Sequence, residues 1–316
     1  MDVGALAALL DERRFGDCRD AALTLLRSSD LDDGARAQVF LALSCSLAAL
    51  QSGQEALGPA ELGVFFGRQA GDYDLVGRAL CHLATLCHES GLYKRAIACL
   101  DEYFQYFGLY LFAKSLEGWV LGRLGLLHQA MGRGPKALEY FRRAYQWHAG
   151  GGASPQLVET HRGQLVWQLL KLGETGQARE LLVLSEAYLG RAPNDIEARG
   201  CYLNNLGYCH YLDGNHSAAI DRCTQVLHMK NVPAAYKARA CLTLHYSARA
   251  MGRVREAMGL GTLARIQANL AHQLHLEEEA TRSMLHIQQH EGLPLMDELL
   301  RSLQQPCQAL AAGSHS

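Results

Sequence analysis

The feature that most constrains this chain is a repeat built on five glycines. Each glycine is followed five residues later by an alanine and preceded eight residues earlier by a leucine. The glycines stand 41, 41, 41 and 38 residues apart, at Gly91, Gly132, Gly173, Gly214 and Gly252. Alanine fills roughly one position in ten of an ordinary soluble chain, so five matches in five arise by chance on the order of once in a hundred thousand. A fixed period of about 20 to 50 residues is typical of stacked structural repeats, so the chain is predicted to present a long surface.

Each repeat is interpreted as two helices joined at the glycine. In the clearest example, an apolar run with three- and four-residue steps ends at Gly132, and a second run begins at Pro135. Proline is tolerated in the first turn of a helix because the N–H that it lacks has no partner there. The second helix then carries Ala137, Phe141 and Ala144 on one face. The small alanines predict a close approach of the two helices, and Phe141 is predicted to fill the space toward the next pair.

The fold predicted from this pattern is all-α, a right-handed superhelical solenoid of about seven antiparallel helix pairs with a C-terminal helical cap. No linker divides the chain, so residues 1–310 are predicted to form a single solenoid. Within it, residues 1–72 hold weak repeats, residues 73–270 hold the clear repeats, and residues 271–310 form capping helices. Residues 311–316 are predicted to be a disordered tail.

Charge and hydropathy exclude several classes of protein. The chain has 30 Lys and Arg against 32 Asp and Glu, so it lacks the positive charge typical of proteins that bind nucleic acid or anionic membranes. The start, Met1-Asp2, lacks the basic residues of a secretion signal. The apolar stretch 39–50 is shorter than the about 20 residues that cross a bilayer. A cytoplasmic protein that binds neither membrane nor nucleic acid directly is predicted.

Residues that could support catalysis or bind a metal do not form a recognised motif. Eight of the ten cysteines lie on the apolar faces of predicted helices, and none forms a Cys-x-x-Cys pair. These positions favour reduced cysteines in the core over a redox or metal role. No HExxH, Walker-type loop or GxSxG occurs, and the pairs His286/His290 and His272/His275 lack a third ligand. The chain is therefore predicted not to be an enzyme, with no catalytic residue, no metal site and no cofactor.

Two segments carry a resemblance to a known family. They are Asn205-Leu206-Gly207-Tyr208 followed by Gly214 and Ala219, and Leu124-Gly125 followed by Gly132, Ala137, Phe141 and Ala144. They resemble tetratricopeptide repeats, and the longer period, about 41 residues against the family's usual 34 or so, implies longer helices. Repeats of this length are similar to the sensor domains of bacterial peptide-pheromone receptors and of maltose-regulator-like proteins. Such regulators commonly carry a helix-turn-helix, but the repeat begins almost at Met1 and leaves no room for one.

The resemblance also implies a binding surface. In the family the first helix of each pair lines the concave groove, with side chains about 3, 6, 9, 10 and 13 residues before the loop glycine pointing into it. Carried over to this sequence, the implied ligand-binding residues are Arg78, His82, Trp119, Arg123, Gln164, Trp167, Asn204, Asn205, Tyr208, Tyr211, Arg239 and Tyr246.

The residue types at these positions suit a peptide ligand. Tryptophan, tyrosine and arginine dominate binding hot spots. Asn204 and Asn205 can each donate to and accept from an extended backbone. Two alternatives stay open: Asn205 occupies a position where such repeats use asparagine structurally, and aromatic residues at helical spacing commonly serve packing.

Glycines and aromatic residues elsewhere leave further alternatives open. Gly118, Gly122 and Gly125 stand inside a predicted helix, where they indicate either close helix packing or a groove in which a ligand approaches the backbone. The aromatic segment 103–107 with Tyr110 and Phe112 is either a thick core between repeats or an exposed partner or dimer surface.

These observations predict a non-catalytic protein that binds a peptide or protein segment in its concave groove, and the resemblance places it in bacterial regulation or sensing. A transcriptional regulator and a second copy of the chain are the candidate larger partners. The alternative is a scaffold that assembles a complex through its outer or end surfaces.

Overall fold

The structure is a computed structural model that describes residues 3–27, 30–50, 53–107, 116–151, 153–271 and 273–291. These residues form fifteen α-helices, and no strand occurs among them. The chain divides into two compact units, residues 1–168 and 169–316. The predicted cap beyond residue 291, the predicted tail and the aromatic residues Tyr110 and Phe112 lie outside the described residues. That residues 1–310 form one continuous solenoid stays a prediction.

Unit 1 is built from helices that pack against their neighbours in sequence. Its helices are α1 (Gly4–Asp11), α2 (Phe15–Leu26), α3 (Asp33–Ala49), α4 (Gly53–Ala70), α5 (Tyr73–Glu89), α6 (Tyr93–Phe107), α7 (Glu117–Ala130), α8 (Gly134–Gly150) and most of α9 (Pro155–Lys171). Helices α3 and α4, α5 and α6, and α7 and α8 form contacting pairs. Because the loops between partners are short, each pair is antiparallel.

Unit 2 repeats the same arrangement. It begins within the last turn of α9 and continues with α10 (Thr175–Arg191), α11 (Ile196–Leu212), α12 (His216–His228), α13 (Ala234–Ala250), α14 (Val254–Leu270) and α15 (Leu274–Glu291). Helix α11 pairs with α12, and α13 pairs with α14. The first helices also contact one another, α11 with α13 and α13 with α15, so they form one surface of unit 2. We call this surface the first-helix face.

The five repeat glycines end the first helices, as predicted. All five have positive φ, between 71° at Gly132 and 81° at Gly173. In this region an L side chain is strained, so glycine is the residue that lets the chain reverse within a few residues. Asp195 begins α11 as predicted for a helix N-cap, since its side chain accepts a hydrogen bond from the N–H of Ala198 at 3.0 Å.

Helix α7 shows what the mid-helix glycines do. A Cβ atom on Gly118 would lie 2.5 Å from Nε2 of His148, and one on Gly125 would lie 2.5 Å from Cε1 of Phe141. Side chains of α8 therefore occupy the space that a larger residue on α7 would need. Of the two interpretations left open by the sequence, the structure supports close helix packing at these positions.

Small residues also fill the contact between the paired helices. The five repeat alanines, Ala96, Ala137, Ala178, Ala219 and Ala257, are fully buried. The nine cysteines in the described ranges are free thiols, and all but Cys45 are buried. None of the helices in those ranges is long and apolar enough to cross a membrane.

Replacing Ala219 with leucine is expected to lower the free energy of unfolding by about 1 to 3 kcal/mol, because it inserts three carbon atoms into a filled contact between α11 and α12. Urea denaturation of the variant measures the loss. The matched control is Ala187→Leu on the exposed side of α10. Equal stability of the two variants would contradict the packing described for α11 and α12.

Candidate functional site

Helix α7 carries two of the implied ligand-binding residues on its exposed side. The guanidinium carbon of Arg123 lies 4.9 Å from the centroid of the Trp119 ring, which is a cation–π contact. Both side chains are half-buried. Burial lowers the pKa of Arg123, and the negative charge of Glu89 opposes that shift. The guanidinium of Arg123 thus lies over the face of the Trp119 indole ring.

Arg78 and His82, both on α5, are engaged with neighbouring protein groups. Arg78 is exposed and forms an ion pair with Asp74 at 3.1 Å. Nε2 of His82 lies 2.9 Å from Oγ of Ser44, and that hydroxyl donates to the carbonyl of Ala56 at 2.7 Å. Because the hydroxyl hydrogen is used on Ala56, Nε2 of His82 carries the proton and donates to Ser44. Burial lowers the pKa of His82, so this histidine joins α3 and α5 in its neutral form.

The two implied residues on α9 differ in exposure. Trp167 is buried, with 3% of its surface exposed. Gln164 is half-buried, and its Oε1 has no hydrogen-bond partner among the described residues. Gln164 is therefore partly accessible, whereas Trp167 contributes to the core.

In unit 2 the two asparagines of α11 are buried. Asn204 is 1% exposed, and its Nδ2 donates to the carbonyl of Tyr236 on α13 at 2.9 Å. Asn205 is 2% exposed, and its Nδ2 donates to Sγ of Cys201 at 3.6 Å. The amide donors of both residues are thus used within the protein. Oδ1 of Asn204 has no hydrogen-bond partner among the residues that the structure describes.

Three of the implied residues form an aromatic cluster on the first-helix face. The ring centroids of Tyr208 and Tyr211 are 5.7 Å apart and stacked, and those of Tyr211 and Tyr246 are also 5.7 Å apart. Tyr211 and Tyr246 are half-buried, whereas Tyr208 and Arg239 are 8% exposed. We call Tyr208, Tyr211 and Tyr246 the tyrosine cluster. It joins α11 to α13 with aromatic faces and hydroxyl groups.

An ion pair lies beside the tyrosine cluster. Nζ of Lys171 lies 2.5 Å from Oε1 of Glu279, and the hydroxyl of Tyr246 donates to the same oxygen at 2.7 Å. Nζ of Lys171 also lies 5.9 Å from the centroid of the Tyr208 ring. The arrangement therefore connects the last residue of α9 to α15 beside the tyrosine cluster.

The charge of Glu279 is stabilised by its partners. Burial raises the pKa of this carboxyl, but the charge of Lys171 and the hydrogen bonds from Lys171 and Tyr246 outweigh burial, so the pKa is lowered overall. Burial, followed by the charge of Glu279, raises the pKa of Tyr246. At neutral pH Glu279 is consequently a carboxylate and Tyr246 a neutral phenol.

Sequence reasoning missed Lys171 and Glu279. Lys171 stands two residues before Gly173 and outside the positions that the family rule selects. Glu279 lies on a helix to which the rule was not applied, because the repeat was followed only as far as Gly252. Gly292 stands 40 residues after Gly252, and Glu279 is the thirteenth residue before it. The glycine spacing of the repeat therefore continues as far as Gly292. The alanine of the repeat pattern does not, because the fifth residue after Gly292 is Asp297.

A second buried polar cluster lies in unit 1, between α8 and α9. The imidazole rings of His148 and His161 are stacked with their centroids 4.3 Å apart. They are 2% and 5% exposed. Burial lowers the pKa of both, and that of His161 falls to about 4, with the neighbouring His148 contributing. The pair is therefore neutral in the folded protein at physiological pH.

No three His, Cys, Asp or Glu side chains of the described ranges are arranged to hold a metal ion. The two clusters described above contain an acid, basic groups and aromatic rings. The arrangement suits recognition of a ligand through hydrogen bonds, charge and aromatic contacts.

Comparison with known proteins identifies the fold. No protein-family model matches the sequence, and no curated protein is a significant match. Among solved structures, the chain is similar to NprR in complex with its cognate peptide NprX, with a TM-score of 0.65 and 11% identity over 95% of this chain and 91% of NprR. It is also similar to a tetratricopeptide repeat protein from Parabacteroides merdae ATCC 43184, with a TM-score of 0.60 and 13% identity over 88% and 97% of the two chains.

A third similar structure is a Rap protein complexed with competence and sporulation factor, with a TM-score of 0.54 and 11% identity over 90% of this chain and 73% of the Rap protein. At such low identity these similarities define the fold alone. The chain has an all-α helical repeat fold of the tetratricopeptide type, which confirms the resemblance noted in the sequence.

Proposed function

We propose that this chain is a non-catalytic protein that binds a peptide or a protein segment on its first-helix face and acts in regulation or sensing. The observation that carries the proposal is the tyrosine cluster, in which two half-buried aromatic rings and the buried ring of Tyr208 adjoin hydrogen-bonding and charged groups. Tyrosine combines a large contact area with a polar hydroxyl and loses little conformational entropy on binding. NprR and the Rap protein, which share the fold, are complexed with a cognate peptide and with competence and sporulation factor.

The polar groups near the tyrosine cluster suit an extended peptide. A peptide backbone presents donors and acceptors at regular intervals, and a binding surface must satisfy those that become buried. Oδ1 of Asn204 is buried and lacks a hydrogen-bond partner within the described residues, so a peptide N–H that reached it would supply the missing donor. The half-buried Tyr211 supplies a further hydroxyl group, whereas the hydroxyl of Tyr246 donates to Glu279.

A scaffold function is the second candidate, favoured by one specific feature. Helix α14 exposes three large apolar residues on one side, Leu263 at 37%, Ile266 at 47% and Leu270 at 64%. Exposed apolar rows of this kind mark surfaces that bind other proteins. A scaffold would use this surface, whereas a peptide receptor would use the tyrosine cluster.

Mass spectrometry of the molecules that co-purify with the native protein tests the proposal. We expect a peptide or a protein segment whose binding is lost when the tyrosine cluster is altered. A partner whose binding is lost only on changing Ile266 to aspartate would favour the scaffold function. Recovery of a turned-over small molecule would contradict both functions.

Replacing Tyr211 with alanine is expected to weaken binding of the co-purified partner about 10-fold, because the ring contacts both other members of the tyrosine cluster. Titration calorimetry measures the change. Leu212→Ala on the same helix is the matched control, since Leu212 is 38% exposed and lies outside the cluster. Unchanged affinity in Tyr211→Ala would move the site away from the first-helix face.

A further inference from the structure

Two hydrogen-bond donors in unit 2 converge on a single carboxylate oxygen. The ammonium of Lys171 and the hydroxyl of Tyr246 both donate to Oε1 of Glu279, at 2.5 and 2.7 Å. Hydrogen bonds from a charged donor to a carboxylate are about twice as strong as those between neutral groups. Lys171 and Tyr246 thus constitute a carboxylate site, and the structure shows it occupied by a side chain of the same molecule.

The neighbouring glutamate shows that this contact is unlike an ordinary surface ion pair. Glu278 pairs with Arg282 one turn along α15, where the two side chains are 66% and 77% exposed. Glu279 instead pairs with a residue 108 positions earlier in the chain, and only 27% of its side chain is exposed. Exposed pairs contribute little to stability, whereas a partly buried carboxylate needs the donors that surround it.

The surroundings of the site favour an anionic ligand over a cationic one. Besides Lys171 on α9, positive residues of unit 2 include Arg239 and Arg249 on α13. Nη2 of Arg249 lies 2.9 Å from Nδ1 of His286 on α15. A ligand carboxylate would meet at this site the ammonium and hydroxyl donors that Glu279 already uses, whereas a ligand cation would be repelled by Lys171.

We propose that Lys171 and Tyr246 recognise a carboxylate of the bound peptide, and that Glu279 fills this site until the ligand displaces it. The carboxylate belongs either to an acidic side chain or to the C-terminus of the peptide. The tyrosine cluster lies next to the site and contacts the residues around the carboxylate. This inference rests on the proposed function for the peptide nature of the ligand, but the carboxylate site itself depends only on Lys171 and Tyr246.

Chemical rescue tests the site without a peptide. In Glu279→Ala, the atoms removed correspond closely to acetate, so added acetate is expected to raise the melting temperature relative to sodium chloride of equal ionic strength. Acetamide, which is neutral and of the same shape, should not. The wild-type protein, the matched control Glu278→Ala, and Lys171→Met/Glu279→Ala should show no acetate-specific increase.

An equal response to acetate in Glu279→Ala and Glu278→Ala would overturn the inference. If Glu279→Ala does not fold in chloride, folding that is restored by acetate and not by acetamide supports it, and failure of both overturns it. The thermal shift requires no assumption about the peptide.

A peptide selection then tests the ligand class. Random hexapeptides with free or amidated C-termini are captured by the wild-type protein, Glu279→Gln and Lys171→Met, and the captured peptides are sequenced by mass spectrometry. Glu279→Gln keeps the shape of the side chain but removes the competing charge, so it should retain carboxylate-bearing peptides about 10-fold more strongly than the wild type. Lys171→Met should lose the preference, and the matched control Arg282→Met should keep it.

The outcomes of the two experiments distinguish the carboxylate site from the proposed peptide-binding function. Enrichment only among peptides with free C-termini identifies the terminal carboxylate, and enrichment of Asp or Glu among amidated peptides identifies a side chain. Captured peptides with no carboxylate preference would overturn this inference and leave the peptide-binding function standing. Acetate rescue without any captured peptide would retain the carboxylate site and contradict peptide binding.

Discussion

Replacing Phe141 with alanine is expected to lower the free energy of unfolding by about 3 to 5 kcal/mol, the range found for large aromatic residues removed from protein cores. Phe141 is 1% exposed, and its ring lies against Gly125 of α7. Since glycine has no side chain with which to fill the space, the cavity left by the ring cannot be closed without moving the helices. Equilibrium denaturation in urea, followed by circular dichroism, measures the loss.

The control for this experiment is Phe65→Ala on α4. Phe65 is 49% exposed, so its removal should lower the free energy of unfolding by much less. If the two variants lose equal stability, Phe141 does not fill the contact between α7 and α8, and the packing that the structure shows there is incorrect.

Lowering the pH from 7.5 to 4.5 is expected to remove about 2.5 kcal/mol of stability through His161 alone. Burial, with the neighbouring His148, brings the pKa of His161 to about 4 in the folded protein, whereas an unfolded histidine titrates near 6.5. The unfolded state therefore binds the proton more readily, so stability falls as the pH drops through 6.5 and levels off below about 4. His148, whose pKa is also lowered by burial, adds to the loss.

Carboxylates also titrate between pH 7.5 and 4.5, so the contribution of His161 must be measured as a difference between the wild type and a variant without this histidine. The free energy of unfolding of the wild type minus that of His161→Gln, which does not titrate, should decrease by about 2.5 kcal/mol between pH 7.5 and 4.5. His148→Gln should give a smaller change of the same sign. A difference that is constant with pH would show that His161 is hydrated in the folded state.

The fold could be predicted from the sequence because its determinants are local and repeated. A glycine at each turn is required by a positive φ, and an alanine five residues later is required by the close approach of the next helix. The same glycine and alanine recur in each repeat, so the repeats together support one prediction of the fold. Glycines inside α7 were ambiguous for the opposite reason: their neighbours, His148 and Phe141, come from another helix and are not identified by the repeat.

The candidate site could be predicted only in part. That Tyr208, Tyr211 and Tyr246 bind a ligand stays a prediction, but the structure brings these three side chains together. The family rule selected them because they stand three or six residues before a loop glycine. It could not show that Asn204 donates to the carbonyl of Tyr236 or that Trp167 is buried. The contact between Lys171 and Glu279 could not be predicted, because it depends on how far successive helix pairs rotate relative to one another. Small side-chain differences at every helix interface determine that rotation.

The contact between Lys171 and Glu279 has a consequence for how unit 2 folds. In a stack of repeats each element usually contacts only its neighbours, so the end of the stack can fray while the rest stays ordered. A link across 108 residues closes a long loop and ties α15 to the beginning of the unit. Opening of α15 must then break a contact with α9, which makes unit 2 unfold more cooperatively than a simple linear array of the same helices.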